Sequence, residues 1–333
     1  MNHVEIAATG RNSLWRYLVM LVAIVIAINT VGAIPLLIGY VLKMFSDPNA
    51  INSLASDPNN LSLLGYSPNI TLLMMLFPFA AGLVAFFLLI KPLHGRTVAQ
   101  VFNGTGTIRW SRILTAAFVW LMFSIIFLVA STILQPDNFR INNTGPTLVL
   151  LVIITLVLIP FQAGFEEVIF RGYLLQALSI PGMKKPKTAF FKAIYGLYSG
   201  MLFPLLITSI LFGILHSWNP EVKAYGFFTM MPQYVMFGLL FGILTVLDDG
   251  IEIAVGTHAA NNAFLSIMVT NSSSALQTPA VFEQISIYPW SDFISLFVLS
   301  LLYILVMKMI YGWKDFSVIW RKLTREGING QTV

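Results

Sequence analysis

Long apolar runs constrain the fold of this chain more than any other feature of its sequence. Of its 333 residues, 57% are hydrophobic and only 10% are charged, whereas roughly a quarter of the residues are charged in a typical soluble domain. Runs of about 20 apolar residues are long enough to cross a bilayer as helices. The pattern predicts an all-α, polytopic transmembrane helical bundle of about eight spans. They are residues 15–43, 70–90, 113–134, 147–180, 194–217, 225–247, 251–270 and 291–312.

The connections between these runs are short and rich in Asn, Pro, Gly and Ser, so residues 1–333 are expected to form a single membrane domain. The first run is too long for a signal peptide and lacks a small-residue cleavage site, which indicates a helix that stays in the membrane. Matched halves of the kind found in many transporters are not visible, which argues against a small-molecule transporter. The chain has no cysteine, which excludes disulfides, thiolate metal sites and a cysteine nucleophile.

The distribution of positive charge predicts the orientation of the bundle. The chain has 19 Lys and Arg residues and a net charge of +5. If the N-terminus is cytoplasmic, fifteen of them, Arg325 included, lie on that side, and three, Lys43, Arg140 and Lys223, lie on the other. Short cytoplasmic loops are rich in Lys and Arg, so both termini are predicted to be cytoplasmic. The same rule explains the net charge, and no nucleic-acid partner is expected.

One stretch, residues 164–176 with the sequence GFEEVIFRGYLLQ, places charge inside an apolar run. Ionisable groups at membrane depth are costly and usually mark a functional site. Residues four apart share a helix face, so Glu167 and Arg171 are expected to pair, while Glu166 points about 100° away and stays available. A free carboxylate in a site of low dielectric constant suits a general base.

The same stretch has two less specific interpretations. The run from residue 147 to 180 could form a helix of about 50 Å, which is longer than a hydrocarbon core of roughly 30 Å. It could therefore leave the membrane near Gln162 and place both carboxylates among the lipid headgroups. Alternatively, Glu166, Glu167 and Arg171 could form one structural cluster whose charges and hydrogen bonds are satisfied internally.

Four histidines are available as partners. His3, in the N-terminal tail, and His94, in a basic loop, are expected to lie on the solvated surface. His216 and His258 lie in apolar runs, where a single histidine is more often a packing residue. Two of them in a chain with an intramembrane carboxylate favour a catalytic role. His216 ends the sequence FGILH, so Phe212, four residues earlier, can pack beside its ring.

A third polar unit lies in the sequence HAANN, where Asn262 follows His258 by four residues. An imidazole N–H and an amide NH2 on one helix face can point at one spot, as donors to a developing oxyanion must. Asn261, about 100° away on the helix, is the weaker candidate. Glu166 with His216 would then activate a water, and the HAANN pair would hold the oxyanion of an amide under attack.

Zinc is an alternative to metal-free activation of water. Glu166, His216 and His258 make up a set of two His and one Glu, which is known from catalytic zinc sites. The H-E-x-x-H helix that fixes this geometry is absent from the sequence. No cofactor is therefore expected, and these three residues are the ligands expected if a metal is bound.

Together, EEVIFR, FGILH and HAANN, in this order on successive late helices, resemble the three motifs of the CPBP family of intramembrane proteases. That family includes the type II CAAX prenyl proteases and the bacterial Abi proteins. The resemblance covers residues 85–312. The motifs EExxxR, FxxxH and HxxxN fall on Glu166, Glu167, Arg171, Phe212, His216, His258 and Asn262.

The resemblance implies an endopeptidase in the cell membrane, of the glutamate or the metallo type. It assigns the first glutamate and the FxxxH histidine to water activation, the last motif to the oxyanion, and Glu167 with Arg171 to a supporting role. The implied substrate is a membrane-associated protein or peptide precursor with a cleavage site near the membrane surface, prenylated only if the source organism makes such proteins. A non-catalytic scaffold or bacteriocin-immunity-type protein on the same fold is the alternative, but every motif position is filled, which argues for activity.

Counting residues along the predicted spans places His216 at a different height in the membrane from Glu166 and His258. Glu166 and His258 are expected toward the cytoplasmic ends of their spans, whereas His216 comes late in a span that runs outward from the basic loop 184–192. Two explanations are open. Residues 187–200 could form an interfacial helix, so that the crossing starts later, or Pro160 and Pro204 could break or tilt the helices.

Overall fold

The computed structural model describes residues 2–56 and 61–323, and Arg325, which was counted on the basic side, lies outside these ranges. The described chain is almost entirely helical. The helices are α1 Leu14–Asn29, α2 Ile34–Ser46, α3 Pro48–Ser56, α4 Pro68–His94, α5 Val98–Phe102, α6 Trp110–Leu134, α7 Thr147–Glu167, α8 Leu175–Gly182, α9 Ala189–Ala193, α10 Tyr195–Tyr198, α11 Leu202–Leu215, α12 Pro220–Tyr225, α13 Phe227–Asp248, α14 Glu252–Met268 and α15 Pro289–Tyr311, with a π-helical segment Val168–Leu174 and 3₁₀ turns at Glu5–Thr9, Leu61–Leu64, Pro136–Asn138 and Ser317–Ile319.

Six segments of the described chain are long and apolar enough to cross a membrane. The other two predicted spans are shorter helices, α11 with 14 residues and α14 with 17. The all-α, polytopic architecture is confirmed, and the protein is an integral membrane protein. The six long segments are Leu14–Ser46, Pro68–His94, Trp110–Leu134, Thr147–Gly182, Phe227–Asp248 and Pro289–Tyr311.

Helices α7, α13 and α14 form the centre of the bundle. Half of the residues in the most apolar stretch of α13 are buried inside the protein, compared with 11% of those in the most apolar stretch of α1 and α2. Helix α14 packs against α6 and α7, and α11 packs against α13. The α11–α13 contact is close because α13 has a glycine there: a Cβ added at Gly238 would lie 2.7 Å from the carbonyl oxygen of Ser209. Small residues allow membrane helices to approach in this way.

The N-terminal and C-terminal segments meet at one end of the bundle. Val4 and Leu323 pack in one buried apolar cluster with Leu175, Met201 and Val246. The backbone N–H of Leu323 also donates to the carbonyl oxygen of Ser199 at 2.7 Å. Val4 and Leu323, near the two ends of the described chain, therefore lie on the same side of the bundle, and the cytoplasmic location of that side stays a prediction from the Lys and Arg distribution.

Ion pairs tie four helices together at this same end. Arg109, just before α6, pairs with Glu252 at the start of α14, with 2.6 Å between Nη2 and Oε2. Arg112 pairs with Asp248 at the end of α13, and the indole N–H of Trp313, just beyond α15, donates to the same carboxylate at 3.1 Å. Because Glu252 is fully buried, these contacts fix the start of α14, and with it the height of His258.

A small sheet closes the opposite end of the bundle. Strands β1 (Phe139–Ile141), β2 (Val269–Thr270) and β3 (Phe282–Gln284) pair in the order β1-β3-β2. β1 runs antiparallel to β3, and β2 runs parallel to it. The sheet joins the connections that follow α6 and α14, so it holds the far ends of two helices that pack together along their length.

The sequence-based placement of His3 and His94 on the solvated surface is wrong. Both side chains are almost completely buried. His94 Nδ1 donates to the carbonyl oxygen of Arg11 at 2.8 Å, and its Nε2 accepts from the hydroxyl of Tyr173 at 2.8 Å. His3 Nε2 donates to the carbonyl oxygen of Arg171 at 3.0 Å. Both are covered because the N-terminal residues fold back over the end of the bundle, a contact between segments remote in sequence.

The structure resolves the apparent conflict over the height of His216. Residues 189–198 form the short helices α9 and α10, whose Phe190 and Leu197 side chains are exposed, and the apolar crossing starts only at Leu202. From there to His216 is 14 residues, or about 21 Å. Glu166 lies 16 residues before Gly182, about 24 Å along its helix. Since Gly182 packs against the backbone of residues 198 and 199, the two catalytic candidates lie at similar heights.

Burial lowers the pKa of the His3 imidazole from its ordinary value of 6.5. The unfolded state therefore binds more protons than the folded state below about pH 6.5, and stability falls as the pH falls, by at most about 1.4 kcal/mol per pH unit. We expect the thermal midpoint of the wild-type protein in detergent to drop more between pH 7.5 and pH 5.5 than that of the His3→Gln variant. Equal drops would show that His3 is not the group that takes up the proton.

Candidate active site

The EEVIFR motif lies at a change of helix type. Helix α7 ends at Glu167, and the next seven residues continue as a π-helix before α8 begins. Pi-helical turns are rare and are frequent at functional sites, because the wider turn changes which side chains face a neighbouring helix. Nearly every side chain of this turn is buried. The motif is therefore inside the bundle and does not form an amphipathic surface helix.

Glu167 is the most constrained carboxylate of the site. Its side chain is fully buried, and its Oε1 accepts from Arg171 Nη1 at 3.0 Å and from His258 Nδ1 at 2.8 Å. Arg171 in turn donates from Nη2 to the carbonyl oxygen of Gly238 at 2.9 Å. The intrahelical pair expected from the i, i+4 spacing is present, and its carboxylate also holds the imidazole of another helix.

These hydrogen bonds fix the tautomer of His258. With Nδ1 donating to the carboxylate of Glu167, the neutral imidazole leaves Nε2 as an acceptor. The Asn262 amide donates to that Nε2 at 3.1 Å. The ring also stacks on Phe241, with centroids 4.7 Å apart and an angle of 18° between the planes. His258 is therefore held in one orientation, with Nε2 directed toward Glu166.

Glu166 points away from this pair, as predicted from the helix geometry. Its Oε1 accepts from the Gln162 amide at 2.5 Å. Its Oε2 lies 3.8 Å from His258 Nε2 and has no hydrogen-bond partner among the described residues. One carboxylate oxygen is thus fixed, and the other has no partner among the described residues and faces a histidine nitrogen that accepts from Asn262. This second oxygen is available to bind a small polar molecule.

A chain of amide groups orients the residues around Glu166. Asn262 donates both to Gln162 Oε1, at 2.9 Å, and to His258 Nε2. Its own carbonyl oxygen accepts from Asn261 at 3.1 Å, and Asn261 accepts from the indole N–H of Trp120 on α6 at 3.2 Å. The network connects α6, α7 and α14, so the positions of the Glu166 carboxylate and the Asn262 amide depend on each other.

His216 lies beside this cluster and not within it. No hydrogen bond or ion pair joins it to Glu166 in the parts of the chain that the structure describes. Its Nδ1 donates to the carbonyl oxygen of Phe212 at 2.7 Å. The Phe212 ring lies 4.7 Å from the His216 ring, as the spacing predicted, and 5.9 Å from that of His258. The histidine that faces Glu166 is His258, and the Phe212 ring contacts both histidines.

Phe212 also explains how the motifs pack together. The guanidinium carbon of Arg171 lies 4.5 Å from the centre of the Phe212 ring, a distance at which a cation is attracted to the ring face. Phe170 and Phe241 pack edge-on against the same ring. A single side chain of the FxxxH motif thus contacts the arginine of the first motif and the histidine of the third.

Two network residues were missed by sequence reasoning. Gln162 precedes Glu166 by four residues, so the spacing rule used for Glu167 and Arg171 could have found it. Asn261 was identified only as the weaker oxyanion candidate, and it instead holds Asn262. The roles of Gly238 and Trp120 had no signal in the sequence, because each depends on which helix lies opposite.

The described residues do not show a preformed zinc site. A catalytic zinc ion needs three protein ligands converging on one point. Within residues 2–56 and 61–323, no group of three or more His, Asp or Glu side chains is arranged to hold a metal ion. Glu166 Oε2 and His258 Nε2 lie 3.8 Å apart, and among the described residues no hydrogen bond or ion pair joins the predicted third ligand, His216, to either of them. The mechanism proposed below is written for the metal-free alternative.

Comparisons with known proteins agree with the motif resemblance. Residues 145–264 match the model of the family described as Type II CAAX prenyl endopeptidase Rce1-like, and this segment contains all three motifs. A Bacillus subtilis (strain 168) protein described as "Uncharacterized protein YyaK" is 26% identical over 266 residues, which cover 80% of this chain and 81% of the relative. No solved structure matches the chain. The family match confirms the resemblance to CPBP intramembrane proteases.

The Arg171→Ala variant tests the buried ion pair. It leaves the Glu167 carboxylate buried without its cation, and removing one partner of such a pair typically costs about 3–5 kcal/mol. We expect a clearly lower thermal midpoint in detergent, together with loss of hydrolytic activity. Arg140→Ala is the matched control, because Arg140 pairs with Glu283 at 2.7 Å but is 64% exposed, and exposed pairs contribute about 1 kcal/mol or less. Equal midpoints for the two variants would contradict the supporting role of Arg171.

Proposed function

We propose that this chain, whose residues 145–264 carry a domain of the type II CAAX prenyl endopeptidase family, is an intramembrane endopeptidase with Glu166 as its general base. The observation that carries the proposal is Glu166 Oε2, which is buried without a hydrogen-bond partner among the described residues and lies 3.8 Å from His258 Nε2. The substrate class that the resemblance implies is a membrane-associated protein or peptide precursor, which includes a prenylated tail.

The oxygen of Glu166 that has no hydrogen-bond partner among the described residues suits the activation of one water molecule. A water can donate one hydrogen bond of about 2.8 Å to Glu166 Oε2 and its second to the acceptor nitrogen of His216, since His258 Nε2 already accepts from Asn262. Its lone pairs are then directed at a substrate carbonyl. Glu166 takes the proton as the oxygen attacks the carbonyl carbon. When the tetrahedral intermediate collapses, the C–N bond breaks, and Glu166 returns the proton to the leaving amine.

The third motif is proposed to stabilise the oxyanion. The Asn262 amide lies beside His258 and is held through its carbonyl oxygen by Asn261, so its NH2 group can exchange one partner for the oxyanion. Neutral His258 supports this donor by accepting from the same amide at Nε2, and Glu167 holds the imidazole ring through Nδ1 as the carboxylate does in a Ser-His-Asp triad. Each such donor contributes roughly 3–4 kcal/mol to lowering the barrier.

His216 keeps the role that the resemblance implies, as the second group that acts on the water. Because its Nδ1 is used by the carbonyl oxygen of Phe212, its Nε2 is the free acceptor of a neutral imidazole. Its height in the bundle and its place beside Phe212 support this role. The His216→Ala variant is accordingly expected to be folded and strongly impaired.

The Glu166→Gln variant tests the general base without assuming a substrate. The change keeps the shape of the side chain and removes its basicity, so we expect cleavage to fall to the background while the thermal midpoint stays close to that of the wild type. New protein N-termini are compared by mass spectrometry in membranes that contain wild-type or variant protein. Glu283→Gln, in the small sheet at the opposite end of the bundle, is the control and should leave the set of N-termini unchanged. The same N-termini with Glu166→Gln would instead favour the non-catalytic scaffold.

Removal of metal tests the assignment to a glutamate-type mechanism. The site does not offer three converging ligands, so we expect cleavage by the purified protein to persist after exhaustive treatment with chelators, with no stoichiometric zinc by elemental analysis. The matched measurement adds zinc back after chelation. Activity that disappears with the chelator and returns with zinc would overturn the mechanism and make Glu166, His216 and His258 ligands.

A further inference from the structure

A cluster outside the three motifs surrounds the far side of the His216 ring. Its members are Asn219 and Glu221, which follow His216 in the chain, and Tyr234 in the second turn of α13. None of them has a part in the mechanism above. Together they contact the one motif histidine that the Glu166 network does not hold.

His216 needs an external support because of its place in the fold. It is the C-cap residue immediately after α11, so no further turn of that helix lies beyond it to hold the ring. The hydrogen bond of its ring, from Nδ1 to the carbonyl oxygen of Phe212, fixes the tautomer. Phe212 covers one side of the ring, with centroids 4.7 Å apart. The orientation of Nε2 then depends on what lies on the other side.

Tyr234 provides the support on that side. Its ring is stacked on the His216 ring, with centroids 4.5 Å apart and an angle of 22° between the planes. The imidazole is therefore enclosed between two aromatic rings from two different helices. Aromatic rings stacked in this way attract each other beyond the burial of their area, and a planar neighbour restricts rotation of the ring.

The hydroxyl of Tyr234 is fully used to hold its own ring. It donates to Glu221 Oε1 at 2.6 Å and accepts from the Asn219 amide at 3.0 Å. Both partners belong to the connection that leaves His216, so the backbone after the histidine is tied to the tyrosine stacked on it. A residue that only filled space there would not need both bonds, which together set the plane of the phenol ring.

We propose that Tyr234 is a positioning residue for His216, with Asn219 and Glu221 as the anchors of its hydroxyl. It acts through the imidazole and does not touch the reacting atoms. The effect of Tyr234 on the rate of cleavage rests on the role that the proposed function gives to His216. The structural part of the inference, that Tyr234 fixes the orientation and tautomer of His216, is independent of any activity.

Histidine NMR tests the structural part directly. The protein, labelled with ¹⁵N in the histidine rings, has only four histidines, and single substitutions assign them. The wild type and Tyr234→Phe, which keeps the stacked ring, are expected to show one sharp Nδ1-protonated signal for His216. Tyr234→Leu is expected to broaden it or to mix the two tautomers. The same signal in Tyr234→Leu would overturn the proposal.

Kinetics on a peptide identified by the N-terminus comparison tests the consequence. Misplacement of a catalytic group by about 1 Å can cost on the order of 100-fold in rate, so Tyr234→Leu is expected to lower kcat by roughly 10- to 100-fold with KM nearly unchanged, and Tyr234→Phe should recover most of the loss. Tyr225→Leu is the matched control, because Tyr225 packs in the same apolar cluster of Val222, Met230 and Met231. Equal losses in Tyr225→Leu and Tyr234→Leu would overturn positioning in favour of general packing.

A double variant separates this inference from the proposed function. If Tyr234 acts through His216, Tyr234→Leu with His216→Ala should be no slower than His216→Ala alone, since residues that act as a unit are not additive. A further loss in the double variant would overturn the proposal. Full activity of His216→Ala, with an altered His216 signal in Tyr234→Leu, would confirm the positioning contact and reject His216 from the mechanism.

Discussion

The carboxylate of Glu167 is the interaction on which the rest of the site depends. A buried charge is stable only when it is neutralised and hydrogen-bonded. Glu167 Oε1 accepts hydrogen bonds from both Arg171 and His258. Arg171 then reaches the backbone of α13 at Gly238. One fully buried group thereby fixes the relative positions of α7, α13 and α14. Since the same bonds set the tautomer of His258, the requirement to neutralise a charge also orients the imidazole for the proposed chemistry.

Glu166 differs from its neighbour because of what surrounds it. One of its oxygens is held by Gln162 and the other faces His258 Nε2. The amides of Asn261 and Asn262 hold this arrangement from α14, and Trp120 holds Asn261 from α6. In an environment of low dielectric constant such networks are strong when every member has a partner. The two adjacent glutamates thus lie in different environments, which suit the structural support and the proton transfer proposed for them.

Sequence periodicity predicted the parts of the site that lie on a single helix. The pairing of Glu167 with Arg171, the contact of Phe212 with His216 and the shared face of His258 and Asn262 all follow from a spacing of four residues. The local sequence around His3 and His94, a tail and a basic loop, wrongly placed both on the surface. His3 is buried against Arg171, 168 positions away in the chain, and His94 against Tyr173, 79 positions away. No local pattern encodes such contacts. The π-helical turn was missed for a similar reason, since its residues have ordinary helical propensities and only packing favours the wider turn.

The sequence by itself determined that this chain is an integral membrane bundle and that EEVIFR, FGILH and HAANN resemble the motifs of a protease family, because hydrophobic run length and helical spacing are local properties. Only the tertiary structure decided which histidine faces Glu166, and it is His258 at 3.8 Å, whereas the His216 ring packs against Phe212. It also decided that Tyr234 stacks on His216. These outcomes depend on the relative rotation and height of α7, α11, α13 and α14, which close packing at glycine and the buried ion pairs fix, and which a linear sequence does not specify.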